Sequence, residues 1–260
     1  MIKKLRSITK NRGPALLAIL LLLLAWGLVS ASGLVPRYML PSPLDVLRAF
    51  GQDLGLLAEN AAITLQEAFY GLALGVALGF AFAVLMDRFH WLYRAFYPLL
   101  IITQTVPPLA VAPLLVLWFV YEMTPKIILI VIVTFFPVTV GLLDGYRAVD
   151  QDSISLLRPM GAGKWQVFRY IKFPAALPQF FSGLRIAAAY AVVGAVISEW
   201  LGGFGGLGVY MTRVKKAYAF DKMFAVIFLI SAISLALMKL VDALQERTMP
   251  YLRLDHQDDQ

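Results

Sequence analysis

The chain has 260 residues, of which 60% are hydrophobic and only 15% charged, and its mean hydropathy is +0.75. Soluble domains are typically about 45–50% apolar and about 25% charged, so the apolar excess requires lipid as solvent for much of the surface. Without cysteine, disulfides and thiolate metal sites are excluded, and two distant histidines, His90 and His256, offer no metal site. The net charge of +7 fits basic residues at the cytoplasmic ends of spans better than nucleic-acid binding, for no soluble basic stripe with interleaved aromatics is present.

The chain opens with Lys3, Lys4, Arg6, Lys10 and Arg12, a basic segment 1–12, and then runs uncharged from Gly13 to Pro36. That run exceeds the apolar core of a signal peptide; Ala31-Ser32-Gly33 leaves a cleavage reading open, but a retained first helix fits better with the spans that follow. A span needs roughly 20 apolar residues. Further spans are expected at Ala61–Met86, within Ala95–Tyr121, at Ile127–Leu143, about Phe181–Trp200, and at Met223–Leu244, which gives six within 13–244. The third contains Pro98, Pro107, Pro108 and Pro113 and should be bent, with its freed backbone groups facing protein or a wet cavity. Between the first two spans, Pro41-Ser42-Pro43 introduces Leu44, Val46, Leu47 and Phe50, the pattern of a short interfacial helix.

An even number of spans places both termini on one side, and the Lys/Arg bias puts that side in the cytoplasm with Arg88, Arg94, Arg147, Arg158, Lys164, Arg169 and Lys172. Arg37, Arg48, Lys126 and the group Arg213, Lys215, Lys216 and Lys222 fall on the other side, in dissent. The segment 245–260 reads as a polar cytoplasmic tail, unstructured after Pro250.

Gly161-Ala162-Gly163-Lys164 lacks the earlier glycine and the following Ser or Thr of a phosphate-binding loop, having Arg158 and Trp165 there. Gly203-Phe204-Gly205-Gly206-Leu207-Gly208 formally matches a dinucleotide fingerprint but follows a membrane helix instead of a strand, and reads as a flexible loop. Gly71, Gly75 and Gly79 form a small-residue stripe that brings helix backbones together, within one subunit or, as the alternative, at a dimer face. Glu67 and Glu199 are ionisable residues near span ends, which makes them functional candidates by default; the plainer reading places both among lipid headgroups. Gln104, Thr105 and Pro107 beside the proline break, together with Glu199, are candidates for a translocation pathway, with interhelical hydrogen bonding as the alternative for the two polar side chains at the break.

The loop 144–178 is longer than a connection needs. It mixes Leu156, Leu157, Met160, Trp165, Val167, Phe168, Tyr170 and Ile171 with basic residues, and its glycine break predicts helix, turn and second helix. Such an amphipathic hairpin suits either a membrane surface or a protein partner. Here the chain resembles the permeases of ATP-binding-cassette importers. Their coupling loop reads Glu-Ala-Ala, three residues, Gly, nine residues, Ile, one residue, Leu-Pro. Gly161, Ile171 and Pro174 fall in register, Phe173 replaces the leucine, and Ser155-Leu156-Leu157 occupies the Glu-Ala-Ala positions. Leu40-Pro41-Ser42-Pro43, Pro107-Pro108-Leu109-Ala110 and Ser198-Glu199-Trp200-Leu201 resemble the branch for nitrate, sulfonate, taurine, riboflavin and thiamine pyrimidine precursors, the last most of all.

The resemblance implies an all-α bacterial inner-membrane permease of six spans with a coupling hairpin between spans four and five. It is not itself an enzyme and binds no cofactor, ATP being bound by a partner. Its implied partners are a second, identical permease subunit, two cytoplasmic ATPases and an external binding protein. Ser155, Leu156, Leu157, Met160, Gly161, Trp165, Ile171 and Pro174 are the implied coupling residues. The rivals are a secondary transporter, which would want inverted repeats and mid-membrane charges, and a membrane enzyme, which would want a catalytic cluster.

Overall fold

A computed structural model describes residues 2–36, 38–119, 123–157 and 159–250. The side chains of residues 2–12, Arg37, Arg158, Tyr121 and the polar tail with His256 lie outside what it describes. The elements are α1 (Ile2–Ala31), α2 (Pro43–Gln52), α3 (Leu54–Arg88), α4 (His90–Thr105), α5 (Pro108–Phe119), α6 (Met123–Arg147), α7 (Gln151–Leu157), α8 (Lys164–Val167), α9 (Phe173–Leu201), α10 (Leu207–Lys216) and α11 (Phe220–Thr248). Among the described residues there is no strand. Five helical stretches are long and apolar enough to cross a bilayer: Gly13–Ala31, α3, α6, Lys164–Leu201 and α11. The pair α4 and α5, bent by 98°, makes a sixth if it counts as one span. The bend falls at Pro107 and Pro108, as the proline content predicts.

The chain divides into two compact units. One comprises 1–58 and 210–229. Within it Ser42 caps α2: its hydroxyl accepts from the Asp45 N–H at 3.2 Å, while Asp45 Oδ2 accepts from the Ser42 N–H at 3.2 Å. Val46 and Ala49 are buried and Leu44 and Leu47 exposed, so α2 is the expected amphipathic helix. Asp53, at its end, receives Lys222 Nζ at 2.8 Å and the Tyr210 hydroxyl at 2.6 Å. These bonds, first that of the ammonium and then that of the phenol, hold its carboxyl below the usual carboxylate range. Lys222 is thus neutralised locally and carries less topological weight than a free loop cation. Trp26 stacks on Phe224 at 5.8 Å. Along α1, Leu17, Leu20, Leu21, Leu24 and Leu28 point outward, which only a lipid solvent favours.

The second unit, 59–209 and 230–260, carries the main core. The glycine stripe of α3 packs inside the subunit. A Cβ at Gly71 would strike Ile130, one at Gly75 would strike Thr134, and one at Gly79 would lie 3.1 Å from Val138 and from the Thr139 hydroxyl, all on α6. α6 also meets α9, there backbone against backbone. A Cβ at Gly141 would lie 2.7 Å from the Gln179 carbonyl oxygen, and one at Gly145 would lie 2.6 Å from the Ala176 Cα. With no hydrophobic drive between helices in lipid, this backbone approach supplies the dispersion that holds them. Around it pack Ala83, Met86, Val138, Leu142, Ala176 and Ala187.

Candidate functional site

Three features of the second unit bear on function. The first is the hairpin. Its arms are α7 and α8, and Gly161 turns the chain with φ +84°, a conformation natural to glycine. The Ala162 N–H closes the turn onto the Leu157 carbonyl at 3.2 Å, and Gln166 Oε1 accepts from the Gly163 N–H at 2.7 Å. Expectation and structure differ over the second arm, which is not separate from span five. It continues through a π turn, Phe168–Lys172, directly into α9. Pro174 has no N–H for the Tyr170 carbonyl, and the Phe173 N–H reaches back five residues to Phe168, so the helix passes the proline without breaking.

Ser155, Leu156, Met160 and Trp165 are exposed, the last three by 70%, 79% and 70%, and Leu157 is half-buried. Ile171 packs with Ala162 on Val149 and Val167, a small core that braces the hairpin. Pro174 sits in the first turn of α9. Trp165 stacks on Phe168 at 5.7 Å, Phe168 meets Tyr146 at 5.6 Å, and Lys172 Nζ binds Asp87 Oδ1 on α3 at 2.6 Å. A cleft of about 740 Å³ runs beside these residues, lined also by Arg88, Arg147 and Lys164. The hairpin is therefore continuous with a spanning helix and carries exposed apolar side chains.

The second feature is a groove of about 410 Å³ beside the bent third span. It is lined by Gln104, one of the residues expected on the pathway, together with Asp144, Gln179, Ser182 and Tyr190, none of which was a candidate from the sequence. Thr105 bonds to its own helix, with the hydroxyl donating to the Ile102 carbonyl at 2.8 Å, and Pro107 lies at the break before α5.

The third is a buried polar cluster. Glu199 is 2% and Glu67 4% exposed, so both are enclosed by protein and neither lies among headgroups. Lys126, assigned to an outer loop, is 6% exposed and binds Glu67 Oε1 at 2.5 Å. At that depth each member of the pair has its partner within the protein, as a buried ion pair requires. Glu199 Oε1 accepts from the Thr64 hydroxyl at 2.7 Å and Oε2 from the Gly208 N–H at 2.5 Å. The Leu207 N–H donates to Thr64 Oγ1 at 2.8 Å, and the Gly206 N–H to Asn60 Oδ1 at 2.9 Å.

The glycine segment read as flexible is thus a packed clasp. Gly206 has φ +113°, and a Cβ there would strike the Glu199 carboxylate. Asn60 and Thr64 gave no local signal, since their partners lie 135 to 146 residues away. The arrangement ties α3, α9 and the start of α10 together and leaves no nucleophile or acid–base pair open to a substrate.

A helical fold of five or six candidate spans defines a multi-pass membrane protein. The model of the binding-protein-dependent transport system inner membrane component matches residues 72–250, and the chain belongs to that family. A probable ABC transporter permease protein of Haemophilus influenzae is 38% identical over 89% of this chain and 95% of its own. The formylaminopyrimidine transport permease protein ThiX of Halalkalibacterium halodurans is 36% identical over 89% and 93%. Among solved structures, an amino acid ABC transporter with histidines shares the fold at TM-score 0.64 and 18% identity, covering 76% of this chain and 96% of that one. The chain is an ABC transporter permease subunit and not itself an enzyme.

Proposed function

We propose that this chain is one of two identical permease subunits of an importer whose two cytoplasmic ATPases dock on the hairpin 151–168. An external binding protein delivers the solute, and both termini and the hairpin lie in the cytoplasm of an inner-membrane complex of six spans per subunit. The observation that carries the reading is the tip itself: Leu156, Met160 and Trp165 stay exposed although the arms beneath them are braced by their own core and by the Lys172–Asp87 pair. Apolar side chains held outward on a rigid base suit a partner's groove. Because α8 runs into α9, a displacement of the tip passes to the spans as a lever movement. Ser155 and Leu157 frame the docking face.

The solute passes the groove at Gln104, with Thr105 and Pro107 bordering it at the break. Glu199 acts on this pathway through α9, by fixing the end of that helix to α3. The solute is a thiamine pyrimidine precursor of the formylaminopyrimidine type, which the relative of that name supports; sulfonate, taurine or nitrate is the next reading.

Gly161→Pro tests the docking. Proline holds φ near about −65°, opposite to the +84° required, so the turn cannot form. The tagged wild-type chain, extracted in mild detergent, should recover its ATPase, whereas the variant should accumulate in the membrane yet recover at least about tenfold less, a loss of roughly 1.4 kcal/mol in docking. Equal recovery with both chains, or none with either, refutes the docking site.

A further inference from the structure

We infer that the groove at Gln104 selects uncharged or cationic, hydrogen-bonding ring solutes and rejects small oxyanions, with Asp144, Gln179 and Ser182 setting the choice. This rests on the permease reading and gives its pathway a substrate class. The groove holds about 410 Å³, the volume of a small-molecule site, and is concave between α4, α6 and α9. Its walls are largely apolar: Phe136, Pro137, Val140, Ile186 and Tyr190 provide flat and aliphatic surface for the faces of a ring.

The polar members supply an edge. Gln104 and Gln179 each carry a donor and an acceptor, and Ser182 and Tyr190 each carry a hydroxyl. The Gln179 side-chain oxygen Oε1, although buried, has no hydrogen-bond partner among the described residues, an acceptor left for a donor such as an exocyclic amine. The only charged group in the described lining is the carboxylate of Asp144, and no lysine or arginine joins it. Arg147, one turn further along α6, is held over the Tyr93 ring at 4.0 Å and near Tyr97 at 5.5 Å, outside that lining.

A sulfonate or nitrate gains affinity from arginine forks, lysines or clustered N–H donors, and is repelled by a lone carboxylate. Neither anion has a ring face to lay against Phe136 and Ile186. An aminopyrimidine has both apolar faces and an edge of alternating donors and acceptors. The chemistry of the groove therefore separates the two solute classes that the family resemblance leaves open.

The absence of native cysteine makes a direct test available. The full-length Ser182→Cys chain in membrane vesicles is labelled with a cationic and an anionic methanethiosulfonate of matched size, and the ratio of rates is compared with that after adding Asp144→Asn. Removing the carboxylate should lower the cationic-to-anionic ratio by about tenfold, as expected of a unit charge roughly 10 Å from probes of opposite sign in a partly wet groove. The same ratio at exposed Leu156→Cys should not change. Formylaminopyrimidine should slow labelling of Ser182→Cys, nitrate should not, and Gln179→Leu should abolish the protection.

An unchanged ratio, or protection by nitrate equal to that by formylaminopyrimidine, overturns the inference. The assay requires neither ATPase nor binding protein. Failure here leaves the docking result intact, and failure of docking leaves this one intact.

Discussion

Lys126→Met should leave a permease that inserts poorly and unfolds early, with a loss of about 3–5 kcal/mol. The ammonium sits 2.5 Å from Glu67 Oε1, with its side chain 7% and that of Glu67 5% exposed. Removing it leaves a buried carboxylate without its counter-charge, and the cost of that charge, more than the lost attraction, dominates. The double variant Glu67→Gln/Lys126→Met provides the diagnosis, because it removes both charges and keeps most of the volume. It should recover most of the stability, so that the two changes together cost far less than their sum. Thermal unfolding in detergent and the yield of folded protein from membranes measure both. A single variant as stable as wild type would show that Glu67 keeps no charge needing compensation.

Gly183→Val should be damaging on a similar scale, for a reason unconnected with charge. A Cβ at Gly183 would fall on the Pro137 carbonyl oxygen and lie 3.0 Å from its carbon, and both are backbone atoms of α6. No rotamer change relieves that overlap, so α6 and α9 must separate along the seam that also contains Gly141 and Gly145. Overpacking of this kind costs about 3 kcal/mol, and helices in lipid have no hydrophobic term to offset it. Gly27→Val, on α1 where a Cβ meets nothing within 4 Å, is the matched control and should behave as wild type. If Gly183→Val also matched wild type in melting temperature, the close approach of the two helices would be wrong.

The features legible in the sequence are those carried by local pattern. Apolar runs of span length gave the helices, Pro107 and Pro108 gave the break, Gly161 gave the turn, and the stripe Gly71, Gly75 and Gly79 gave a packing face. What failed depends on distant residues. Lys126 counted as an outer-loop cation because nothing beside it shows that Glu67 lies one helix away. The segment Gly203–Gly208 has the composition of a flexible loop, yet three successive N–H groups in it are satisfied by Asn60, Thr64 and Glu199. A run of glycines after a carboxylate at a span end is consistent with either, and only the tertiary partner decides.

Span five is expected from about Phe181, whereas α9 begins at Phe173, with Pro174 in its first turn behind the π turn and Pro178 inside the helix. In the groove, Gln104 was legible from its place at the break. Gln179 and Ser182 were not, because both lie where the loop was expected to give way to an apolar span.

The most direct measurement is uptake by proteoliposomes that contain the purified complex of this chain with its ATPase, with its binding protein outside. Accumulation of labelled formylaminopyrimidine should require internal ATP and external binding protein, and should persist when protonophores and sodium ionophores abolish ion gradients. Uptake by this chain without the ATPase, driven by an imposed proton or sodium gradient, would contradict the account and establish a secondary transporter instead.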